Sequence, residues 1–120
     1  GTEQEVEDVL TKLVEYRYIN DQAFIEYYIK DQLTLRPQGI RKVRAKLFQK
    51  GIYGDGVEKE LDQYEQTELD RAKQALKKKD AKLQEDSPLK RQDKLFRFLV
   101  SRGFTISTAK EALAAKEAST

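Results

Sequence analysis

Apolar residues recur at the spacing of amphipathic helices along almost the whole chain. Val6, Val9, Leu10 and Leu13 share one helical face, so residues 4–16 are predicted as a first helix. Asn20 or Asp21 caps a second helix carrying Phe24, Ile25, Tyr27, Tyr28, Ile29 and Leu33. Its apolar face is too wide for a surface helix, which places it, with Tyr27 and Tyr28, in the middle of the core. Arg36-Pro37-Gln38-Gly39 breaks the pattern, because Pro cannot continue a helix and Gly weakens one. A third helix runs from about Ile40 to Lys50 with Ile40, Val43 and Leu47 as its buried stripe. Lys42, Lys46 and Gln49 fall on the opposite side, with Arg41 and Lys50 flanking it. Arg44 projects near the stripe and is expected to snorkel or to pair.

Gly51 stops that helix and Ile52 folds back onto its last turn. Asp55 is predicted to cap a fourth helix in a capping box with Glu58, its inward positions being Val57, Leu61 and Tyr64. Thr67 is expected to cap a fifth, with Asp70 at the third position and a narrow stripe of Leu69, Ala72, Ala75 and Leu76. Residues 79–87 are polar and read as loop. Ser87-Pro88 then starts a sixth helix bearing Leu95, Phe96, Phe98 and Leu99. It ends at Arg102-Gly103-Phe104, and Ser107 is expected to cap a seventh, with Ala109, Ala112 and Leu113 inward.

The pattern repeats. Lys50-Gly51-Ile52 and Arg102-Gly103-Phe104 are the same device, a cationic last turn, a Gly stop and an apolar fold-back, 52 residues apart. At that offset Val43 matches Leu95, Leu47 matches Leu99 and Leu61 matches Leu113. The preceding helices align better at an offset of 48, Phe24 with Ala72 and Tyr28 with Leu76. The expectation is an all-α chain of tandem three-helix repeats in an elongated, curved array. Residues 20–65 form one repeat and 66–120 the next. Residues 1–19 read as the last helix of a preceding repeat whose start is missing.

Composition agrees with thin helical layers. Charged residues make up 37% of the 120 and hydrophobic ones 38%. There is no Cys, so no disulfide framework, in keeping with a reducing cytosol. No stretch approaches the roughly 18 consecutive apolar residues of a membrane span. With no His or Cys, the chain lacks a neutral-pH base or nucleophile, and it has no phosphate-cradling Gly loop, so neither catalysis nor a cofactor is expected. Net charge is only +2, but charge comes in blocks. Residues 36–50 hold six bases and no acid, 55–70 seven acids against Lys59, and 71–82 six bases against Asp80. Such blocks suit macromolecular partners.

Residues Val6 to Leu13, Tyr18-Ile19-Asn20-Asp21-Gln22-Ala23-Phe24, Tyr27-Tyr28, Arg36-Pro37-Gln38-Gly39-Ile40-Arg41-Lys42-Val43-Arg44-Ala45-Lys46-Leu47 and Lys50-Gly51-Ile52 together resemble the RecX family of bacterial recombination regulators. Lys94 to Leu99 and Arg102-Gly103-Phe104 give a second, weaker match. No single piece is diagnostic; their order and spacing carry the resemblance. Arg17 departs from the family's usual Gly, and Asn20 from its usual Asp. The resemblance implies tandem three-helix units, binding to the RecA recombinase, especially as a filament on DNA, and inhibition of strand exchange and ATP hydrolysis.

Candidate contact residues are Arg36, Arg41, Lys42, Lys46 and Lys50, with Arg97 and Arg102 as second-repeat counterparts. Arg and Lys in a run without alternating acids suit an acidic surface or phosphate, although a charged helix face can also be simply solvated. The partners expected are a RecA filament and single- or double-stranded DNA, bound by a monomer, with no membrane. The rival is a DNA-binding module using helix 40–50 directly as a recognition helix or phosphate clamp. Tyr53 is the tyrosine expected to be exposed. Asp55 and Glu58 read as helix-cap residues, not metal ligands. Lys77-Lys78-Lys79 reads as a frayed, solvated helix end, with a phosphate contact as the alternative.

Overall fold

A computed structural model describes Asp8 and residues 22–119. The helix predicted over 4–16 and the Asn20-Asp21 cap lie outside the described residues, apart from Asp8, which is helical. The described chain runs α1 (Gln22–Leu35), α2 (Ile40–Gln49), α3 (Asp55–Asp62), a 3-10 turn (Glu65–Thr67), α4 (Glu68–Lys82), α5 (Pro88–Ser101) and α6 (Ile106–Ala118). The molecule is elongated, 55 × 34 × 19 Å.

The buried side chains gather into two clusters. Ile25, Ile29 and Leu33 of α1 meet Ile40, Val43 and Leu47 of α2, Ile52, and Val57 and Leu61 of α3. Ala72, Ala75 and Leu76 of α4 meet Leu95 and Leu99 of α5, Phe104, and Ala109 and Ala112 of α6. Burial follows the 52-residue offset from Val43–Leu95 through Ile52–Phe104 to Val57–Ala109. The first helices pair differently: Ile25 and Ile29 stand where Ala72 and Leu76 stand, one residue out of register with the expected Phe24 and Tyr28. The apolar face of α1 is accordingly narrower than its composition suggested. Tyr27 is 69% exposed and Phe24 and Tyr28 only border the core. Tyr53 is exposed as expected.

Both glycine stops are built alike. Gly51 has φ +81° and Gly103 φ +93°, a region closed to most side chains. The Ile52 N–H reaches the Leu47 carbonyl at 2.9 Å, and the Phe104 N–H reaches that of Leu99 at 3.2 Å. These are Schellman closures, and the residue after each glycine is driven into its core.

Several caps differ from expectation. Gly54, at φ +115°, takes the N-cap of α3, so Asp55 falls inside the helix and makes no capping bond. Glu58 is drawn away from a capping box by Arg44, which grips both its carboxylate oxygens at 2.9 to 3.1 Å. Thr67 does precede α4, but its hydroxyl donates back to the Tyr64 carbonyl and accepts from Arg71 instead of capping. Thr105, not Ser107, caps α6: its Oγ1 accepts the Thr108 N–H at 3.1 Å. Ser87 caps α5 with Pro88 in the first turn, as predicted. Helix α4 continues to Lys82, through residues expected to be loop. Asp80 there is held by Arg91 at 2.6 Å and Lys116 at 3.5 Å, and Lys79 lies 5.3 Å over the Phe98 ring. These contacts fix a turn whose sequence alone looks frayed.

Candidate functional site

The two clusters meet where the break before α2 lies against the stop after α5. The Gly39 N–H donates to the Arg102 carbonyl at 2.8 Å. A Cβ on Gly39 would overlap the Gly103 carbonyl, and one on Gly103 would lie 2.5 Å from the Lys42 Cβ. Backbone therefore touches backbone, and only glycine permits it.

A buried polar latch flanks this contact. Glu68 opens α4 and accepts the Ile40 N–H at 2.6 Å, so its carboxylate sits at the positive N-terminus of α2. Arg71 lies one turn on and is 7% exposed. It donates to the Gln38 carbonyl at 3.0 Å and the Tyr64 carbonyl at 2.9 Å, and pairs with Glu68 at 3.5 Å. Burial pulls the guanidinium below its ordinary value, and the Glu68 carboxylate opposes this. Gln38, 2% exposed, donates to the Gln32 carbonyl at 2.7 Å. No buried side-chain nitrogen or oxygen among the described residues lacks a partner.

This junction sorts the candidate cations. Lys46 is half-buried, donating to Gln32 Oε1 at 3.0 Å and Gln38 Oε1 at 3.4 Å. Burial, with the charges of Lys42, Arg36 and Arg102, lowers its pKa. Lys42 packs its stem against Gly103. The side of α2 holding Lys42 and Lys46 is thus partly covered, not the open face expected, because α2 has neighbours on two sides. Arg41 and Lys50 are exposed and form no ion pair with a described residue. Arg97 is exposed and bridges to Asp93 at 3.1 Å. Arg102 lies 5.1 Å over the Phe98 ring. Arg36 and Arg102 share a cleft of about 280 Å³ with Lys78, Lys79 and Lys82 of α4.

Sequence reasoning missed Gln38, Glu68, Arg71 and Lys82. Arg71 was detectable, since it falls beside Ala72 and Ala75 on the apolar stripe of its helix. Lys78 and Lys79 read from sequence as a solvated helix end, with a phosphate contact as the alternative, and nothing local ties them to Arg36. No cluster of three or more metal-ligating side chains occurs among the described residues. No helix among them is long and apolar enough to cross a membrane.

Comparison with known proteins agrees with this architecture. Residues 66–113 match the family model described as RecX, third three-helix domain. The regulatory protein RecX of Streptococcus sanguinis is 36% identical over 110 residues, covering 89% of this chain and 41% of that protein. The regulatory protein RecX of Clostridium botulinum strain Eklund 17B is 34% identical over 114 residues, covering 89% and 53%. This chain thus spans about half, or less, of these relatives. The crystal structure of RecX from Lactobacillus salivarius superposes with a TM-score of 0.72 at 21% identity, over 95% of this chain and 75% of that one, which establishes the shared fold. With its order of motifs, its two glycine-stopped helices and these relatives, the chain belongs to the RecX family of regulatory proteins.

Proposed function

We propose that this chain is a non-enzymatic regulator that binds the RecA recombinase, above all as a filament on DNA, and restrains its strand exchange and ATP hydrolysis. It acts without a cofactor, as a cytoplasmic monomer. Residues 20–65 and 66–120 serve as successive three-helix repeats. The supporting observation is that Arg36 and Arg102 share one cleft, with Lys42 against Gly103, at a junction locked by glycine contact. A stiff, elongated body with cations drawn from successive repeats can lie along a repeating acidic surface and gain avidity from weak contacts. The contact set comprises Arg36, Arg41, Lys42, Lys46, Lys50, Arg97 and Arg102. Arg41 on α2 and Lys50 at its C-cap are both exposed.

The geometry does not favour α2 as a recognition helix. Such a helix reads a groove with free side chains, and the open face of α2 carries Arg41, Arg44, Ala45, Phe48 and Gln49. Here Arg44 is bound to Glu58, Lys46 to Gln32 and Gln38, and Lys42 lies against Gly103.

The test is a pull-down with the recombinase, alone and on single-stranded DNA, using the parent chain and an Arg41→Glu/Lys50→Glu variant. The parent should be retained more strongly on the filament. The variant should lose retention and ATPase inhibition with its helicity intact. Unchanged inhibition by the variant removes the α2 contact, and no retention of the parent in either arm removes recombinase binding altogether.

A further inference from the structure

We propose that the cleft between the two repeats is a phosphate site that holds the sugar-phosphate backbone of a nucleic acid strand, with Lys78, Lys79 and Lys82 as its main donors. This deepens the function proposed above, and rests on it only in making the strand part of a filament. The cleft, about 280 Å³, gathers Arg36 from the α1–α2 break, three lysines from α4 and Arg102 from the end of α5, over the Phe98 ring. No acidic side chain lines it.

The cations are left without counter-charge by the surrounding structure. Of the three carboxylates of α4, Asp70 does not line the cleft and the other two are engaged elsewhere. Glu68 is committed to Ile40 and Arg71, and Asp80 to Arg91 and Lys116. None of the five cations forms a salt bridge with a described residue. Five like charges around one concavity repel each other, and a cleft with low-dielectric walls concentrates their field. The fold also orders them. Lys79 and Arg102 stand 5.3 and 5.1 Å from the Phe98 ring, and the Arg102 backbone is bonded to Gly39. Holding them in advance lowers the entropy lost on binding an anion.

Phosphodiester suits this field better than protein carboxylate does. One carboxylate, with one charge and two oxygens, is satisfied by a single Arg fork. Five donors from three segments ask for consecutive negative charges at short, fixed spacing, which a nucleic acid backbone supplies. The apolar floor accepts sugar.

The test uses the chain alone, without recombinase. Fluorescence anisotropy follows a labelled oligo-dT, the matching duplex and poly-glutamate across a salt series. Parent, Lys78→Gln/Lys79→Gln/Lys82→Gln and, as control, Lys59→Gln/Lys110→Gln are compared, each checked for unchanged thermal melting. The parent is expected to bind oligo-dT, the duplex or both, and poly-glutamate at least about tenfold more weakly at matched charge. The triple variant should lose at least about tenfold in affinity. Its salt slope should fall by about 2, from three contacts at roughly 0.7 each on a single strand. The control should bind as the parent does. Comparing the two nucleic acid arms shows whether the strand must be unpaired. Absence of parent binding in both arms, equal binding by the triple variant, or equally tight poly-glutamate binding overturns the proposal. Since no recombinase is present, such a failure leaves the pull-down result standing, and failure of the pull-down leaves this one standing.

Discussion

Replacing Arg71 by Met should unfasten the junction. Met keeps most of the stem's apolar contact, so the loss is polar. The Gln38 and Tyr64 carbonyls lose their guanidinium donors, at 3.0 and 2.9 Å, and the Thr67 hydroxyl loses a third. Glu68, 9% exposed, keeps only the Ile40 N–H and becomes an uncompensated buried charge. Breaking a buried pair from one side costs about 3–5 kcal/mol. A domain of this size has a total stability of roughly 5–15 kcal/mol, so about a fifth or more would disappear. At about 3–5 °C per kcal/mol for a chain of intermediate length, melting should fall by roughly 10–20 °C. Far-UV circular dichroism melts and urea titration measure it. The informative companion is Glu68→Gln/Arg71→Met. Removing the carboxylate's charge relieves the stranded anion, so the double variant should be more stable than Arg71→Met alone. A single variant within about 1 kcal/mol of the parent, or a double variant no better than the single, would refute the latch.

Gly103→Ala should destabilise far more than Gly51→Ala. Both positions have positive φ, at about 1–2 kcal/mol for a side chain there, but only Gly103 also meets Lys42 and Gly39; equal urea midpoints would count against the junction contact. Glu60 is 7% exposed, and burial, aided by Glu26, raises its pKa, so its ionisation opposes folding at neutral pH. Stability from the protonated form is full below the ordinary value of 4.5 and is lost as pH rises through the folded value. Glu60→Gln should therefore raise the melting temperature at pH 7 and lose that advantage below about pH 4, a pattern that pH-resolved melts will show. Asp80 has the opposite sign: burial pushes its pKa up, but the Arg91 hydrogen bond and the Lys116 charge outweigh it and hold the carboxyl low. Its stabilisation is present above the ordinary value of 3.8 and lost as pH falls through the folded value, so Asp80→Asn should be destabilising at pH 7 and near neutral in effect in strong acid.

Helix identity and the repeat were legible because both rest on local pattern. A Gly stop followed by an apolar residue needs only neighbouring carbonyls, and Gly51 and Gly103 both behave as their sequence implies. Val43, Leu47, Leu95 and Leu99 were recognisable as core from spacing alone. The misjudged positions each answer to a residue distant in sequence. Glu58 left its expected cap for Arg44, Lys79 stayed helical over Phe98, and Lys46 turned inward to Gln32 and Gln38. Residues 36–50 were visible as a basic block, but nothing local says that its first Arg shares a cleft with the lysines of α4. Tyr27 shows the limit of composition, since an apolar-looking helix buries only the stripe for which it has partners.

Stability and charge are in tension at the junction, and the sequence resolves it with a division of labour. Arg36, Lys78, Lys79, Lys82 and Arg102 crowd one cleft, and burial first, then the charges of Lys42, Arg36 and Arg102, lower the Lys46 pKa. That crowding works against the compact state. The attachment of one repeat to the next is therefore assigned to other groups: glycine backbone at Gly39 and Gly103, and the neutralised pair Glu68–Arg71. None of these four needs the exposed cations in order to hold. Uncommitted positive charge at a rigid seam can then be kept for an external anion, because the seam does not depend on its neutralisation. Were the cations structural, carboxylates of α4 would face them; instead Glu68 and Asp80 point to Arg71 and Arg91, and Lys78, Lys79 and Lys82 form no salt bridge with a described residue.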